Sequence, residues 1–227
     1  MKIDKKNFRH WLYLIAFGLN AIVAACLRPF FKVKRRKTRK PLIILYGHRL
    51  SGNLLALYRH SKNSCNNQFQ LIFLTMDPAY HRNLQRQGIE SCNSGSLGSI
   101  GLMSRASGVI SDHGLHSMVT LLWLSNIKFF DVWHGIPFKG FDEKDFKTQK
   151  RYTEVWVASP LLANLYIEKF GFDERLISVT GYARTDCLAK PAKNRQELQR
   201  EFGIQDFGYK KTILFAPTWK QDNLCRE

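Results

Sequence analysis

The sequence predicts an α/β protein, a parallel sheet with crossover helices preceded by an apolar helix near the N-terminus. Three observations carry this prediction. From Pro41 onward, short β-branched or aromatic runs alternate with longer segments of helical character. An uncharged run at residues 11–27, WLYLIAFGLNAIVAACL, lies between two basic clusters. The 227 residues are 44% hydrophobic and 13% aromatic, which is ample apolar side chain for a packed core.

The N-terminal run reads as a membrane anchor. Its length is at the short end of the roughly 17–25 residues that span a bilayer, so a spanning helix and one lying in the interface both remain open. The run passes directly into RPFFKVKRRKTRK, a stop-transfer flank rather than a small-residue cleavage site. The formal charge is +17, and residues 2–9 and 28–40 together hold +11 of it. The heavier basic flank follows the apolar run, which places the rest of the chain in the cytoplasm. Because the charges bracket an apolar segment, the expected partner is an anionic membrane surface and not nucleic acid.

Strands are expected at 41–46 (PLIILY), 70–75 (QLIFLT), 108–111 (GVIS), 128–133 (KFFDVW), 154–158 (EVWVA), 176–180 (LISVT) and 212–216 (TILFA). Helices fall between them at 52–62, 78–87, 97–105, 115–125, 160–170 and 195–202, the last ended by Gly203. The domain division that follows is an anchor with basic flanks at 1–40, a Rossmann-like domain at 41–190, and a linker with the first strand of a further, incomplete domain at 191–227. Five widely spaced cysteines, Cys26, Cys65, Cys92, Cys187 and Cys225, form no CxxC pair and support neither a disulfide framework nor a zinc knuckle.

A doubly wound sheet binds ligands beyond the carboxyl ends of its strands, so the post-strand loops carry the functional reading. They run Gly47-His48-Arg49, Thr75-Met76-Asp77, Ser111-Asp112-His113-Gly114, Trp133 to Gly140, Ser159-Pro160, Gly181 to Asp186, and Ala216 to Lys220. Glycines admit an oxyanion close to backbone N–H groups, Lys and Arg neutralise phosphate, and a neutral His takes a proton from an attacking hydroxyl. That set suits phosphoryl transfer, where a protein chiefly positions groups and neutralises charge. Duller roles compete: Ser111 and Asp112 as caps of the helix from Leu115, and His113 with His116 as packing residues too few for a metal site. GSLGSIG (95–101) matches neither the dinucleotide nor the P-loop pattern, and the absence of G-x-S-x-G argues against an α/β-hydrolase.

WHGIPFKGF (133–141), GYARTD (181–186) and ILFAPTWK (213–220), with a weaker GNLLALY (52–58), resemble in order the motifs of the CDP-glycerol glycerophosphotransferase family of teichoic-acid and capsule synthesis. The resemblance implies the N-terminal half of a GT-B arrangement, with acceptor bound mainly by the first Rossmann-like domain and CDP-polyol by the second. It implies His134 as the general base toward the acceptor hydroxyl. Substrate contacts are implied for Asn53, Gly135, Lys139, Arg184, Asp186, Thr218 and Lys220, with no cofactor and no metal. The implied reaction moves glycerol phosphate from CDP-glycerol, or another polyol phosphate such as ribitol phosphate, to a lipid-linked or polymeric acceptor at the cytoplasmic membrane. Ile136 and Ala183 depart from the family's Thr and Pro. With most of the donor half lacking, the chain is expected to be nearly inactive alone, and a non-catalytic membrane-bound remnant is the competing reading.

Overall fold

A computed structural model describes residues 4, 6–33, 40–63, 68–133, 135, 137, 140–189, 194–201 and 203. Two compact units result, Met1–Cys187 and Leu188–Glu227. In the second unit the described element is helix α7 (Arg195–Glu201), close to the expected 195–202. The expected strand 212–216 lies outside the described residues, as do His134, Lys139, Thr218 and Lys220.

The first unit is a seven-stranded, all-parallel sheet with order β3-β2-β1-β4-β5-β6-β7. Its strands are β1 (Leu42–Tyr46), β2 (Gln70–Thr75), β3 (Ser91–Asn93), β4 (Gly108–Ser111), β5 (Lys128–Asp131), β6 (Glu154–Val157) and β7 (Ile177–Val179). Its helices are α1 (Phe8–Val33), α2 (Gly52–Asn63), α3 (Pro78–Arg86), α4 (Leu97–Arg105), α5 (Val119–Leu124) and α6 (Pro160–Glu168). Both faces of the central strands are covered, so β1 and β4 read as continuous apolar runs instead of alternating ones. On one face, Ile44, Tyr46, Val109 and Phe129 pack against Phe17, Ala21 and Ala24 of α1 and Leu102 and Met103 of α4. On the other, Leu45, Phe73 and Ile110 pack against Leu54 and Tyr58 of α2 and Leu84 of α3. A third cluster, Phe146, Tyr166, Phe170 and Phe172 with Val155 and Val157, closes the β6 end.

Strand β3 was not expected from periodicity, because three partly polar residues at a sheet edge carry no alternation to read. The helix expected at 115–125 is divided. His116–Met118 form a 3-10 turn and α5 begins at Val119, with neither Ser111 nor Asp112 capping it. The cause is local: His116 sits at φ 48°, a left-handed conformation that a regular helix does not admit.

Helix α1, about 39 Å long at 1.5 Å per residue, is long and apolar enough to cross a membrane. Here it lies against the domain by one face. Phe17, Asn20, Ala21, Ala24, Ala25 and Arg28 are buried, spaced as one side of a helix. Alanines let α1 approach α4 closely, and polar side chains fix the register. The Asn20 amide donates to the Ser94 and Ser96 carbonyls and to Ser99 Oγ, at 2.9–3.1 Å. Arg28 donates from Nη1 to the carbonyls of Ala106 (2.6 Å) and Ser104 (3.2 Å), and from Nε to Asn126 Oδ1 (3.1 Å). The opposite face exposes Trp11, Leu12, Ile15, Leu19, Ile22, Val23 and Phe30.

Candidate active site

The strand order reverses direction between β1 and β4, and in open α/β sheets that switch point opens a crevice beyond the carboxyl ends of the strands. The post-strand loops of β1, β4, β5 and β7 all leave from this edge. Three motif-bearing segments meet there. Asn53, in the first turn of α2, is buried, and its Nδ2 donates to the carbonyls of Val132 (2.8 Å) and Trp133 (3.0 Å) in the loop after β5. Its Oδ1 accepts from the backbone N–H of Arg184 (3.2 Å), after β7. One amide thus ties segment 52–58 to segments 133–141 and 181–186. A second tie runs from Tyr182, whose hydroxyl donates to the Gly135 carbonyl at 2.8 Å.

Around these ties lies a cleft of roughly 210 Å³ lined by Asn53, Val132, Gly181, Tyr182, Ala183 and Asp186. Gly181 adopts φ 79°, the left-handed turn by which the chain leaves β7 ahead of Tyr182, Ala183 and Asp186, which line the cleft. Arg184 and Asp186 are exposed, and the Arg184 guanidinium lies 5.1 Å from the centre of the Tyr182 ring. Burial pushes the Tyr182 hydroxyl upward, so it stays protonated and donating. Gly135 is half-buried with open space where a Cβ would point. Trp133 anchors its loop against Phe141 (5.9 Å) and Phe146 (6.0 Å).

Of the sequence-predicted residues, Asn53 and Asp186 line this cleft, and Gly135 and Arg184 are joined to its lining through Tyr182 and Asn53. Asn53 has both ends of its amide engaged by backbone, so it organises the two loops. Among the described residues no group of three or more His, Cys, Asp or Glu is arranged to hold a metal ion.

Two features escaped the sequence reading. Asp131, at the end of β5, is fully buried; burial pushes its carboxyl up to about 8, against N–H groups of Trp133 and Val132 that favour the charged form. Asp131 Oδ2 has no hydrogen-bond partner among the described residues. At the switch point, Asp112 Oδ1 lies 2.6 Å from His113 Nδ1, and the ring of His48 is centred 4.3 Å from that of His113 and 5.7 Å from that of His116. His116 Nδ1 pairs with the Tyr46 hydroxyl at 2.9 Å. Each histidine was visible as a post-strand residue. Their convergence depends on β1 lying beside β4, which is a property of strand order and not of local sequence.

A family model described as CDP-Glycerol:Poly(glycerophosphate) glycerophosphotransferase matches residues 29–226. The chain is 30% identical over 133 residues to teichoic acid ribitol-phosphate polymerase TarL of Staphylococcus aureus, covering 52% of this chain and 23% of that protein. It is 33% identical over 110 residues to a teichoic acid poly(ribitol-phosphate) polymerase of Bacillus spizizenii, covering 42% and 17%. The fold is similar to that of the wall teichoic acid polymerase TagF in a solved variant structure, with TM-score 0.60, 17% identity, and coverage of 99% of this chain and 59% of the other. The matched region thus spans about a quarter or less of the length of the curated relatives.

Proposed function

This chain belongs to the CDP-glycerol:poly(glycerophosphate) glycerophosphotransferase family, and on that premise we propose that it is the acceptor-side part of a transferase for a teichoic-acid or capsule polymer. The reaction proposed is attack of an acceptor hydroxyl on the polyol-bearing phosphorus of a CDP-polyol. A phosphodiester bond forms, the bond to the CMP oxygen breaks, and the hydroxyl proton passes to His134. The observation that carries this reading is the joining of segments 52–58, 133–141 and 181–186 through Asn53 and Tyr182 at one cleft. Arg184, with Lys139, Thr218 and Lys220, would neutralise phosphate charge; Gly135 would admit a phosphate oxygen close to backbone; and Asp186 would take a polyol hydroxyl.

Two donors compete. The family description and TagF point to glycerol phosphate, whereas TarL and the Bacillus spizizenii relative are named for ribitol phosphate. CMP release from CDP-glycerol and from CDP-ribitol, measured with a polyol-phosphate polymer as acceptor, separates them. The assay uses the chain within a polypeptide that also carries a donor-binding half, the second Rossmann-like domain of the proposed GT-B arrangement. His134→Ala is expected to lower turnover by about 10²–10⁴. Unchanged turnover would remove His134 as the base, and no CMP from either donor would leave a non-catalytic, membrane-bound chain.

For location, the buried bonds of Asn20 and Arg28 favour α1 lying in the plane of the cytoplasmic leaflet over crossing it, with its outer apolar face in the lipid and the basic flanks on anionic headgroups. Ile15→Lys combined with Leu19→Lys should shift the protein from the membrane pellet to the supernatant without lowering its melting temperature, since both side chains face away from the core.

A further inference from the structure

We propose that Asp131 is a positioning residue for the loop after β5, holding its backbone N–H groups on one carboxyl oxygen and sharing a proton on the other with Ser111 and Tyr152. That loop carries His134, so the consequence for catalysis rests on the transferase reading above. Asp131 ends β5 and Ser111 ends β4, and the two are direct partners in the parallel ladder, so their side chains leave the same face of the sheet. The N–H groups of Trp133 and Val132, the first residues of the loop, are directed at the Asp131 carboxyl. Its Oδ2 has no hydrogen-bond partner, and neither has Ser111 Oγ nor Tyr152 Oη, although all three residues are buried. Tyr152 responds to both Ser111 and Asp131, which gathers the three unsatisfied oxygens at the strand ends. Buried polar atoms are seldom left unpaired. One proton on Oδ2 satisfies them together: the carboxyl O–H donates to one hydroxyl, and that hydroxyl donates to the next.

The titratable groups that act on Asp131 or feel its charge are Asp112 after β4, Tyr152 before β6, Tyr166 of α6 and Tyr182 after β7. None of these is a cation. Burial first, and the Asp112 carboxyl second, oppose ionisation and hold the Asp131 carboxyl up to about 8. Loss of the proton leaves a buried charge beside a second carboxyl group with no counter-ion. Such a charge is relieved by water, and water reaches the end of β5 only if the chain there lifts. Asn53 Nδ2 holds the carbonyls of the same two residues, Val132 and Trp133, so lifting them also loosens the cleft. The loop is therefore set while Asp131 keeps its proton and released when the proton leaves.

The test follows the whole chain across neutral and alkaline pH by infrared spectroscopy and by backbone-amide and side-chain NMR signals. A protonated-carboxyl band present at neutral pH is expected to fade through about pH 8, and the amide signals of Val132, Trp133 and Gly135 should move with the same midpoint. Asp131→Asn, which keeps a neutral donor in place, should abolish both changes. In the longer polypeptide that also carries a donor-binding half, CMP release should fall about tenfold from pH 7 to pH 9, following the protonated fraction of a group that titrates near 8. The fall should lie in kcat more than in KM, and the Asp131→Asn profile should lack it. If Asp131→Asn does not fold, the wild-type band and amide midpoints decide alone. The proposal is overturned if no carboxyl band titrates in this range, if the band titrates while the loop amides stay in place, or if the alkaline fall persists in Asp131→Asn. Band and amides titrating together without CMP release from either donor would sink the transferase reading and leave the loop contact standing. CMP release with the same alkaline fall in both proteins would do the reverse.

Discussion

The two ends of the sheet edge are built on different physical plans. At the β5–β7 end, backbone carbonyls and N–H groups of two loops are gathered by one amide and one phenol, and the charged side chains, Arg184 and Asp186, stand exposed beside a cleft. At the β1–β4 end the side chains bind one another: a buried carboxylate on an imidazole, a phenol on a second, and a third ring packed against both. The first plan fixes loops and keeps the charged side chains at the surface. The second fixes the side chains themselves.

Asp131 lies between the two ends, and its titration should give the largest effect. Its carboxyl is raised from 3.8 in a model peptide to about 8. Between those values the folded state holds a proton that the unfolded state has released, so stability contributed at low pH is lost as pH rises from about 4 through about 8, on the order of 5 kcal/mol in all. Asp131→Asn should flatten that slope in urea melts taken across the range. A slope that survives the substitution would assign it elsewhere.

Next is Asn53→Ala, which strands two carbonyls and an N–H and should cost about 2–4 kcal/mol by denaturant melts. It should also loosen both loops, read as faster amide exchange at Trp133 and Arg184 with the His48 and His113 signals unmoved. If those signals moved equally, the two ends would be one unit. Gly47→Ala tests the opposite end. Its methyl group meets Asp112 and Leu54, at an expected cost of about 1–3 kcal/mol, with the His113 signal displaced and the Tyr182 signals constant. The smallest effect belongs to Tyr182→Phe, which removes one hydrogen bond at about 1 kcal/mol and should raise the donor KM more than the acceptor KM.

The sequence carried the β5–β7 end well, because its parts are contiguous motifs and their chemistry is local. Six of the strands and the flanking helices were likewise legible, since buried parallel strands announce themselves as apolar runs. Strand β3 was not, being three residues long at an edge. Asn53 was found through its motif, yet its work as a tie could not be seen without the pairing of β5 and β7 loops around α2. The histidine cluster and Asp131 depend on which strands are neighbours and on complete burial, and neither leaves a trace in spacing. Helix α1 was read as a membrane segment from its apolar length, but that reading could not show that small and polar residues at one face, Ala21, Ala24, Asn20 and Arg28, dock it on α4.

The docking of α1 also has a place in time. Its partners lie far along the chain: Leu14 receives a bond from Ser117, and Arg28 reaches Ala106 and Asn126. With roughly 90 residues still to be made after the helix is complete, and synthesis at about 5–20 residues per second, the helix waits about 5–20 s before its inner face has anything to pack against. During that interval its apolar surface is unclaimed on every side. On the proposed membrane attachment, the leaflet would be the first surface available to it, and the core of the domain would form second, on a helix already lying in lipid.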